Sequence, residues 1–373
     1  MSSDAAPTKA APGGPITVML ADDSATVRAA IRRALAKEGD IKVIAEAANG
    51  QAAIDTARQA APQVIVLDIE MPILSGLDAL PRILSASPRS RVVMASTLTR
   101  RGAAISLKAL HLGASDYVAK PSIEAGQSFE SFGKELVSKI RSLARSAGRF
   151  SRLENKGKAG GESQSAAFRL HQAPIRRPDV IAIGCSTGGP QALMLLLPKL
   201  VEKAQQPILI VQHMPPTFTS ILAEHISRYT NRPCREATDG EMLRAGHIYV
   251  APGDYHMRVV GRRTTPMLKL DQEAPENFCR PAVDPLFRSL VPVFGANVVA
   301  CVLTGMGQDG LAGGRELVAA GGTLYAQDEA TSVVWGMPGA VATAGICTAV
   351  MTPAALAERI GSVAAGTALQ VSG

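Results

Sequence analysis

The chain has 373 residues, 46% of them hydrophobic, which is enough apolar material for two separately packed domains. Its net charge is +7 at neutral pH, and most of the excess lies between residues 145 and 177, where eight basic residues meet only two acidic ones. That stretch is rich in Gly and Ser and lacks apolar periodicity, so it predicts a solvated linker, or contact with an acidic surface, and argues against nucleic-acid binding.

Composition also places the protein in a cellular compartment. No apolar run is long enough to cross a membrane, so we expect no membrane insertion. Residues 1–14 are rich in Ala, Pro, Gly and Ser and lack the pattern of a signal peptide, which predicts a disordered tail. Five cysteines, with no CxxC pair, indicate reduced thiols and a cytoplasmic protein.

The first predicted domain, residues 15–140, alternates strand and helix patterns five times, which is typical of a doubly wound parallel sheet. Ser24 and Asn49 are predicted helix caps. The predicted strands are 16–20, 42–46, 64–67, 91–95 and 116–118. Functional side chains of such a sheet lie at the carboxyl ends of its strands.

Five polar side chains follow those strands, namely Asp22, Asp23, Asp68, Ser96 and Lys120. Each carboxylate alone could simply cap a helix. Together, three carboxylates provide the hard oxygen ligands that suit Mg²⁺, and the metal relieves their mutual repulsion. The arrangement predicts that Asp68 accepts a phosphoryl group while the metal and Lys120 hold its oxygens.

A linker is predicted at 141–177 and a second domain at 178–366, which is again a mostly parallel α/β domain. Its middle, around 230–275, is predicted to be irregular or antiparallel. The predicted strands are 179–184, 207–211, 247–251, 257–260, 267–270, 297–303 and 323–326. The fold class is therefore α/β, with two doubly wound, mostly parallel domains joined by a basic linker.

The stretch from Val180 to Pro190 predicts a buried strand, a tight turn and a helix, with the hydroxyl of Ser186 at the turn. Two other predicted strands end near His213 and Asp309. A serine, a histidine and an aspartate at three strand tips can form a hydrolytic triad, in which the imidazole takes the proton of the serine and the carboxylate orients the imidazole.

Other interpretations of these residues remain open. Ser186 and Asp309 could be helix caps and His213 a structural histidine, and Cys185 is an alternative nucleophile. The stretch 305–310 matches GxGxxG, and Asp328 follows at nearly the spacing of a ribose-binding acid, so a dinucleotide site is the rival hypothesis. Against that hypothesis, Asp309 would put a negative charge beside the pyrophosphate.

The first domain resembles the receiver domain of two-component response regulators. The matching residues are Asp22-Asp23, DIEMP at 68–72, Ser96 and YVAKP at 117–121. The resemblance implies phosphorylation at Asp68, a switch pair of Ser96 and Tyr117, a role for Lys120 and a cis bond before Pro121. It also extends the Mg²⁺ ligand set, Asp22, Asp23 and Asp68, to Glu70.

The second domain resembles the catalytic domain of chemotaxis protein-glutamate methylesterases. The matching stretches are IGCSTGGP at 183–190, VQHMP at 211–215, DGE at 239–241, YVAPG at 249–253, RPAVD at 280–284, LTGMGQDG at 303–310 and WGMP at 335–338. The departures from the family pattern are Cys185 for Ala, Asp254 for Gly, Ala282 for Ser, and Gly339-Ala340 for Arg-Glu.

This resemblance implies a phosphorylation-activated serine hydrolase. It would demethylate glutamate γ-methyl esters of chemoreceptors and deamidate selected receptor glutamines, with a chemotaxis histidine kinase as phosphodonor. Backbone N–H groups of Thr187 and Met306 are the candidates for the oxyanion hole, and the catalytic domain needs no cofactor. A receptor adaptor without catalysis, a receiver-linked nucleotide oxidoreductase and a DNA-binding regulator are the alternatives.

Overall fold

The computed structural model describes residues 14–97, 99–120, 129–157, 169–172 and 176–367. The cis bond predicted before Pro121, the tail at residues 1–13 and much of the linker prediction lie outside these residues. The chain divides into two compact units, residues 1–97 with 112–148 and residues 98–111 with 149–373. No helix of the described residues is long and apolar enough to span a membrane.

A five-stranded parallel sheet organises the N-terminal part of the chain, with the strand order β2-β1-β3-β4-β5. Its strands are β1 (Ile16–Ala21), β2 (Ile41–Ala47), β3 (Val64–Asp68), β4 (Arg91–Ser96) and β5 (Asp116–Ala119). Each matches a predicted strand within one residue at either end. This is the order of flavodoxin-like doubly wound sheets, which confirms the predicted fold class for this part.

Helices connect these strands. They are α1 (Ala25–Leu35), α2 (Gly50–Ala60), α3 (Gly76–Ala86), α4 (Arg100–His111) and α5 (Phe129–Gly157). Both predicted caps are confirmed, because the side chain of Ser24 accepts from Val27 N and that of Asn49 accepts from Ala52 N.

Helix α5 does not end where the linker was predicted to begin. Its buried residues Leu136, Ile140 and Leu143 repeat at helical spacing and fix its apolar face. Beyond them the chain is rich in Ala, Arg, Leu, Glu and Lys, which favour helix even without an apolar stripe. Residues 141–157 of the predicted linker are therefore helical, and the bounds of the linker stay a prediction.

A seven-stranded parallel sheet forms the centre of the C-terminal part, in the order β14-β13-β12-β6-β7-β9-β8. Its strands are β6 (Val180–Cys185), β7 (Ile208–Gln212), β8 (Cys234–Glu236), β9 (Ile248–Val250), β12 (Val298–Val302), β13 (Thr323–Gln327) and β14 (Ala349–Met351). Strands β10 (His256–Arg262) and β11 (Thr265–Asp271) pair antiparallel in a sheet of their own, which confirms the antiparallel prediction for this part of 230–275. Strands β8 and β9, in the same range, instead pair parallel in the main sheet.

Six helices cover this sheet, and two of them begin beside the candidate site. They are α6 (Gly189–Lys203), α7 (Phe218–Thr230), α8 (Val283–Phe294), α9 (Leu311–Ala319), α10 (Met337–Thr343) and α11 (Pro353–Ala365). Helices α8 and α9 approach closely at Gly313, where a Cβ would lie 2.7 Å from Asp284 O. The central strands β6, β7 and β12 are wholly buried, so their tips are rigidly placed.

Candidate active site

Ser186 follows the central strand β6 and stands in the turn that leads into α6. Its N–H donates to Thr304 O at 3.0 Å, and its carbonyl accepts from Gln212 Nε2 at 2.9 Å. Helix α6 is preceded by Gly188, which has φ +78° and gives no side-chain cap, so Ser186 is not the capping residue of that helix. The backbone of Ser186 is thus fixed from both sides.

The three strands that carry the predicted triad are neighbours in the sheet. Strand β6 lies between β12 and β7, with Gly184 paired to Val302 and Cys185 paired to Gln212. Asp309, Ser186 and His213 therefore follow the carboxyl ends of three adjacent strands. The direction of strand succession reverses between β6 and β12, and ligands of doubly wound sheets bind at such a point.

His213 and Asp309 form a direct pair. The distance from His213 Nε2 to Asp309 Oδ2 is 2.8 Å, and Asp309 is only 1% exposed. The carboxylate also accepts from the backbone N–H groups of Val283 at 2.6 Å, Asp284 at 3.0 Å and Gly310 at 3.0 Å. These are amides at the starts of α8 and α9, where a negative charge is stabilised.

This pair has opposite pKa shifts. Burial works to raise the pKa of Asp309, but hydrogen bonds from His213 and from backbone amides outweigh it, so the pKa is lowered. Burial works to lower the pKa of His213, but the Asp309 carboxylate and Cys279 outweigh it and raise the pKa well above 6.5. Each partner thus favours the charged form of the other.

Cys279 contacts the other ring nitrogen of His213, since its Sγ lies 3.4 Å from Nδ1. Among the described residues, Ser186 Oγ makes no hydrogen bond to the imidazole. Catalytic hydrogen bonds are often absent or long before substrate binds, so this geometry does not argue against the triad. It does show that Nδ1 is the nitrogen available to a serine, because Nε2 is held by Asp309.

Asn277 completes the surroundings of Asp309. Its Nδ2 lies 3.0 Å from Asp309 Oδ1 and 3.0 Å from Asp284 Oδ2, so one amide group bridges two buried carboxylates. Asp284 also accepts from Gly313 N at 2.7 Å. Burial raises the pKa of Asp284 to about 6, and the Asp309 charge contributes to the rise.

Sequence reasoning missed Asn277 and Cys279. Both lie just before Arg280, in a stretch with no metal, nucleotide or nucleophile motif. The one available signal was their position beside the RPAVD stretch, which opens α8. The two residues reach the site through a turn, and no spacing rule predicts its geometry.

The loop after β12 approaches the serine closely. Gly305 permits this, because a Cβ there would lie 2.3 Å from Met337 Sδ and 2.9 Å from Ser186 Cβ. Thr304 Oγ1 donates to Thr187 O at 2.8 Å and so links the loop to the residue after the serine. The assignment of the backbone N–H groups of Thr187 and Met306 to the oxyanion hole stays a prediction.

The alternative nucleophile is poorly placed. Cys185 is wholly buried, and its Sγ faces Val211 O at 3.6 Å. Burial raises the pKa of this thiol, which disfavours the nucleophilic thiolate. Ser186, in contrast, is partly exposed.

A second cluster lies at the carboxyl ends of β1, β3 and β5. Ligand atoms of Asp22, Asp23 and Asp68 all lie within 4.8 Å of one another. Lys120 Nζ lies 2.7 Å from Asp22 Oδ2 and 2.7 Å from Asp68 Oδ1. Burial raises the pKa of Asp68 although Lys120 opposes the shift. Three hard carboxylate donors with one ammonium fit Mg²⁺ and a phosphoryl group.

The other predicted receiver residues are Glu70, Ser96 and Tyr117. Glu70 is exposed and is not one of the three grouped carboxylates, so its role as a ligand stays a prediction. Ser96 is 2% exposed, and its hydroxyl donates to Thr97 O at 3.3 Å. Tyr117 is buried, which raises the pKa of its phenol, and Lys139 Nζ lies 5.0 Å from its ring centroid.

Comparisons with known proteins identify the family of both domains. Residues 181–360 match the family model described as CheB methylesterase, and residues 18–126 match the response regulator receiver domain. Over 92% of each chain, the sequence is 49% identical to a protein-glutamate methylesterase/protein-glutamine glutaminase of Azospirillum brasilense. It is 51% identical to one from Rhodospirillum centenum, which covers 90% of this chain and 91% of the relative. The chain belongs to the protein-glutamate methylesterase/protein-glutamine glutaminase family.

Membership of the methylesterase family confirms the resemblance found in the motifs. It gives no support to a receptor adaptor without catalysis. The dinucleotide hypothesis also conflicts with the local geometry. The backbone N–H groups of Gly310, Val283 and Asp284 already donate hydrogen bonds to the carboxylate of Asp309. A pyrophosphate would need helix-terminal amides of this kind.

Proposed function

We propose that Ser186, His213 and Asp309 are the catalytic residues of a phosphorylation-activated hydrolase. The enzyme demethylates γ-methyl esters of glutamyl side chains on chemoreceptors and deamidates selected receptor glutamines. The observation that carries the assignment is the His213–Asp309 pair, 2.8 Å apart, at the strand tips that flank Ser186. Hydrolysis of an ester or amide needs this combination of nucleophile, base and orienting carboxylate.

The proton steps follow from the geometry of the imidazole. Asp309 holds Nε2, so Nδ1 must first lose its proton and then accept the proton of Ser186 Oγ as the oxygen attacks the ester carbonyl. Nδ1 returns that proton to the leaving methoxide, and methanol departs. Water, deprotonated by the same nitrogen, then hydrolyses the acyl-enzyme to glutamate and free Ser186.

The negative oxygen of each tetrahedral intermediate needs donors that are already in place. We assign this role to the backbone N–H groups of Thr187 and Met306, since the N–H of Ser186 already donates to Thr304 O. A donor of this kind lowers the barrier by about 3 kcal/mol. A glutamine side chain places its carbonyl in the same position, so ammonia would leave in place of methanol during deamidation.

The receiver domain is proposed to control this activity from Asp68. Asp22, Asp23 and Asp68 would hold Mg²⁺, which when bound neutralises the phosphoryl oxygens during transfer. Lys120 would contact the same oxygens after Asp68 has accepted the phosphoryl group from a chemotaxis histidine kinase. Such a protein works in the cytoplasm, where the kinase and the cytoplasmic helices of receptors meet it.

One experiment tests whether both activities share this site. Methanol release from methylated receptor and ammonia release from receptor glutamines are measured for the full chain and for His213→Ala. We expect both rates to fall by a similar factor, on the order of 10³ or more, because both reactions need the same base. The control is Ser220→Ala, whose hydroxyl donates to the carbonyl of Thr217, just before α7. Loss of one activity alone would contradict a shared site.

A further inference from the structure

The contact between Cys279 and His213 is built into a short, well-anchored turn. Glu276 and Cys279 exchange backbone hydrogen bonds of 3.1 Å and 2.9 Å across it. The two residues at its tip, Asn277 and Phe278, have φ values of +51° and +63°, which side chains other than Gly rarely adopt. Backbone strain of this kind persists only where the surroundings enforce it.

Several anchors hold this turn. Glu276 forms an ion pair with Arg288. Arg280 binds Asp254 at 2.6 Å and the carbonyls of residues 272 and 273 at 2.9 Å and 3.0 Å. Asn277 bonds Asp309 from inside the turn, while Phe278 is fully exposed. The thiol of Cys279 is therefore fixed against the imidazole and does not rest there as a mobile surface side chain.

The thiol also lies at the ring nitrogen that the reaction requires. His213 Nε2 is bonded to Asp309, so only Nδ1 can serve Ser186, and Cys279 Sγ is 3.4 Å from that nitrogen. We propose that Cys279 is a positioning residue of the hydrolase, whose thiol holds His213 in a resting orientation that Ser186 must replace before each turnover. The inference rests on the assignment of His213 as the base.

The charged and titratable groups around His213 support this role. Asp309 and Cys279 face its two nitrogens, and Asp284 is joined to Asp309 through Asn277. Both Asp309 and Cys279 favour the imidazolium, which donates one hydrogen bond from each nitrogen. Removing the sulfur leaves Nδ1–H without its acceptor, so the neutral form that acts as base becomes more populated.

The first test compares pH profiles of methanol release for wild type, Cys279→Ala and Cys279→Ser. Loss of a hydrogen bond to a charged group moves a pKa by about one unit, so the Cys279→Ala midpoint of kcat/KM should move about one pH unit toward acid. The midpoint of Cys279→Ser, which keeps a hydrogen-bond acceptor, should lie between those of wild type and Cys279→Ala. An unchanged midpoint in Cys279→Ala, or a shift toward base, would overturn the proposal, since a merely structural cysteine would change rate or stability without moving the profile.

The second test uses the native protein and iodoacetamide. The Cys279 thiolate displaces iodide and forms a thioether, and its proton goes to solvent. The carboxamidomethyl group would block Nδ1 of His213. The hydrolytic activity of wild type should therefore fall in proportion to the alkylation of one site, whereas iodoacetamide should not reduce the activity of Cys279→Ala. Cys234→Ala, which removes the other partly exposed thiol, should be inactivated like wild type.

The positioning role of Cys279 and the assignment of His213 as the base can be refuted separately. Ser186→Ala should still be alkylated at Cys279 although it hydrolyses nothing, because the contact does not depend on the nucleophile. Wild type that remains fully active with Cys279 alkylated would overturn the positioning role and leave the triad intact. Hydrolysis that persists in His213→Ala would instead overturn the assignment of the base.

Discussion

His213 Nε2 and Asp309 Oδ2 lie 2.8 Å apart although 96 positions separate the two residues in the chain. The carboxylate cannot rotate away, because both of its oxygens also accept bonds from backbone amides at the starts of α8 and α9. One oxygen is thereby aimed at the imidazole before substrate arrives. Preorganisation of this kind gives a catalytic carboxylate its effect.

Asp309→Asn should lower kcat by about 10⁴-fold, as loss of the orienting carboxylate does in other serine hydrolases. An amide facing Nε2 can donate its own N–H, which leaves the ring proton on Nδ1, where Ser186 needs an acceptor. Methanol release from methylated receptor measures the effect. Because the negative charge is lost, the pKa of His213 should also fall, and ring-proton NMR titration would report it.

The matched control for that variant is Asp328→Asn. Asp328 follows the neighbouring strand β13, and its carboxylate only bonds Thr331. We expect it to retain wild-type methanol release within about twofold, since surface substitutions rarely cost more than 0.5 kcal/mol. If Asp328→Asn were as inactive as Asp309→Asn, the carboxylate of the relay would have been misassigned.

Asp284→Asn should change how stability depends on pH. The pKa of Asp284 is raised by burial from 3.8 to about 6, so its protonated form is favoured in the folded protein. A raised carboxyl pKa contributes stability that is present below pH 3.8 and is lost as pH rises through about 6. Between pH 4 and 7 the variant should therefore gain about 1–3 kcal/mol of unfolding free energy relative to wild type.

Urea unfolding of both proteins at several pH values measures this difference. The amide of the variant still offers an oxygen to Gly313 N, so the junction of α8 and α9 is retained. A difference in unfolding free energy that stays constant from pH 4 to 7 would show that Asp284 titrates normally in the folded protein.

Much of the fold was predictable because its signals are local. The strands β6, β7 and β12 are continuous apolar runs, as expected for parallel strands covered on both faces, and all three were predicted. Strands β8 and β14 were missed, since each has three residues and lies at an edge of the sheet, where short pairing leaves little pattern.

The candidate site likewise contains residues that could be predicted from the sequence and residues that could not. Ser186, His213 and Asp309 could be predicted because each follows a recognisable strand. Cys279 and Asn277 could not, because they reach the pair through a turn with two positive φ angles that no local rule predicts for Asn and Phe. Their partners are also distant in sequence, with 66 positions between Cys279 and His213.

Asp68→Asn should abolish activation by a small acyl phosphate and keep the basal hydrolysis. The amide cannot accept a phosphoryl group, whereas the hydrolytic residues are in the other domain and are unchanged. Methanol release with and without the phosphodonor measures the ratio. Asp55→Asn, an exposed carboxylate of α2, is the control and should respond like wild type.

An Asp68→Asn protein that is still stimulated by the phosphodonor would move the regulatory phosphorylation to another residue. Equal basal rates in the two variants would show that the substitution has not disturbed the hydrolase.

Methanol release by purified Ser186→Ala on methylated receptor, compared with wild type at equal concentration and matched thermal stability, tests the central claim most directly. The relay of Ser186, His213 and Asp309 predicts a loss of at least about 10⁴-fold, because the variant lacks the oxygen that attacks the ester carbonyl. A Ser186→Ala protein that kept a substantial fraction of wild-type methanol release would contradict the relay and place the nucleophile at another residue.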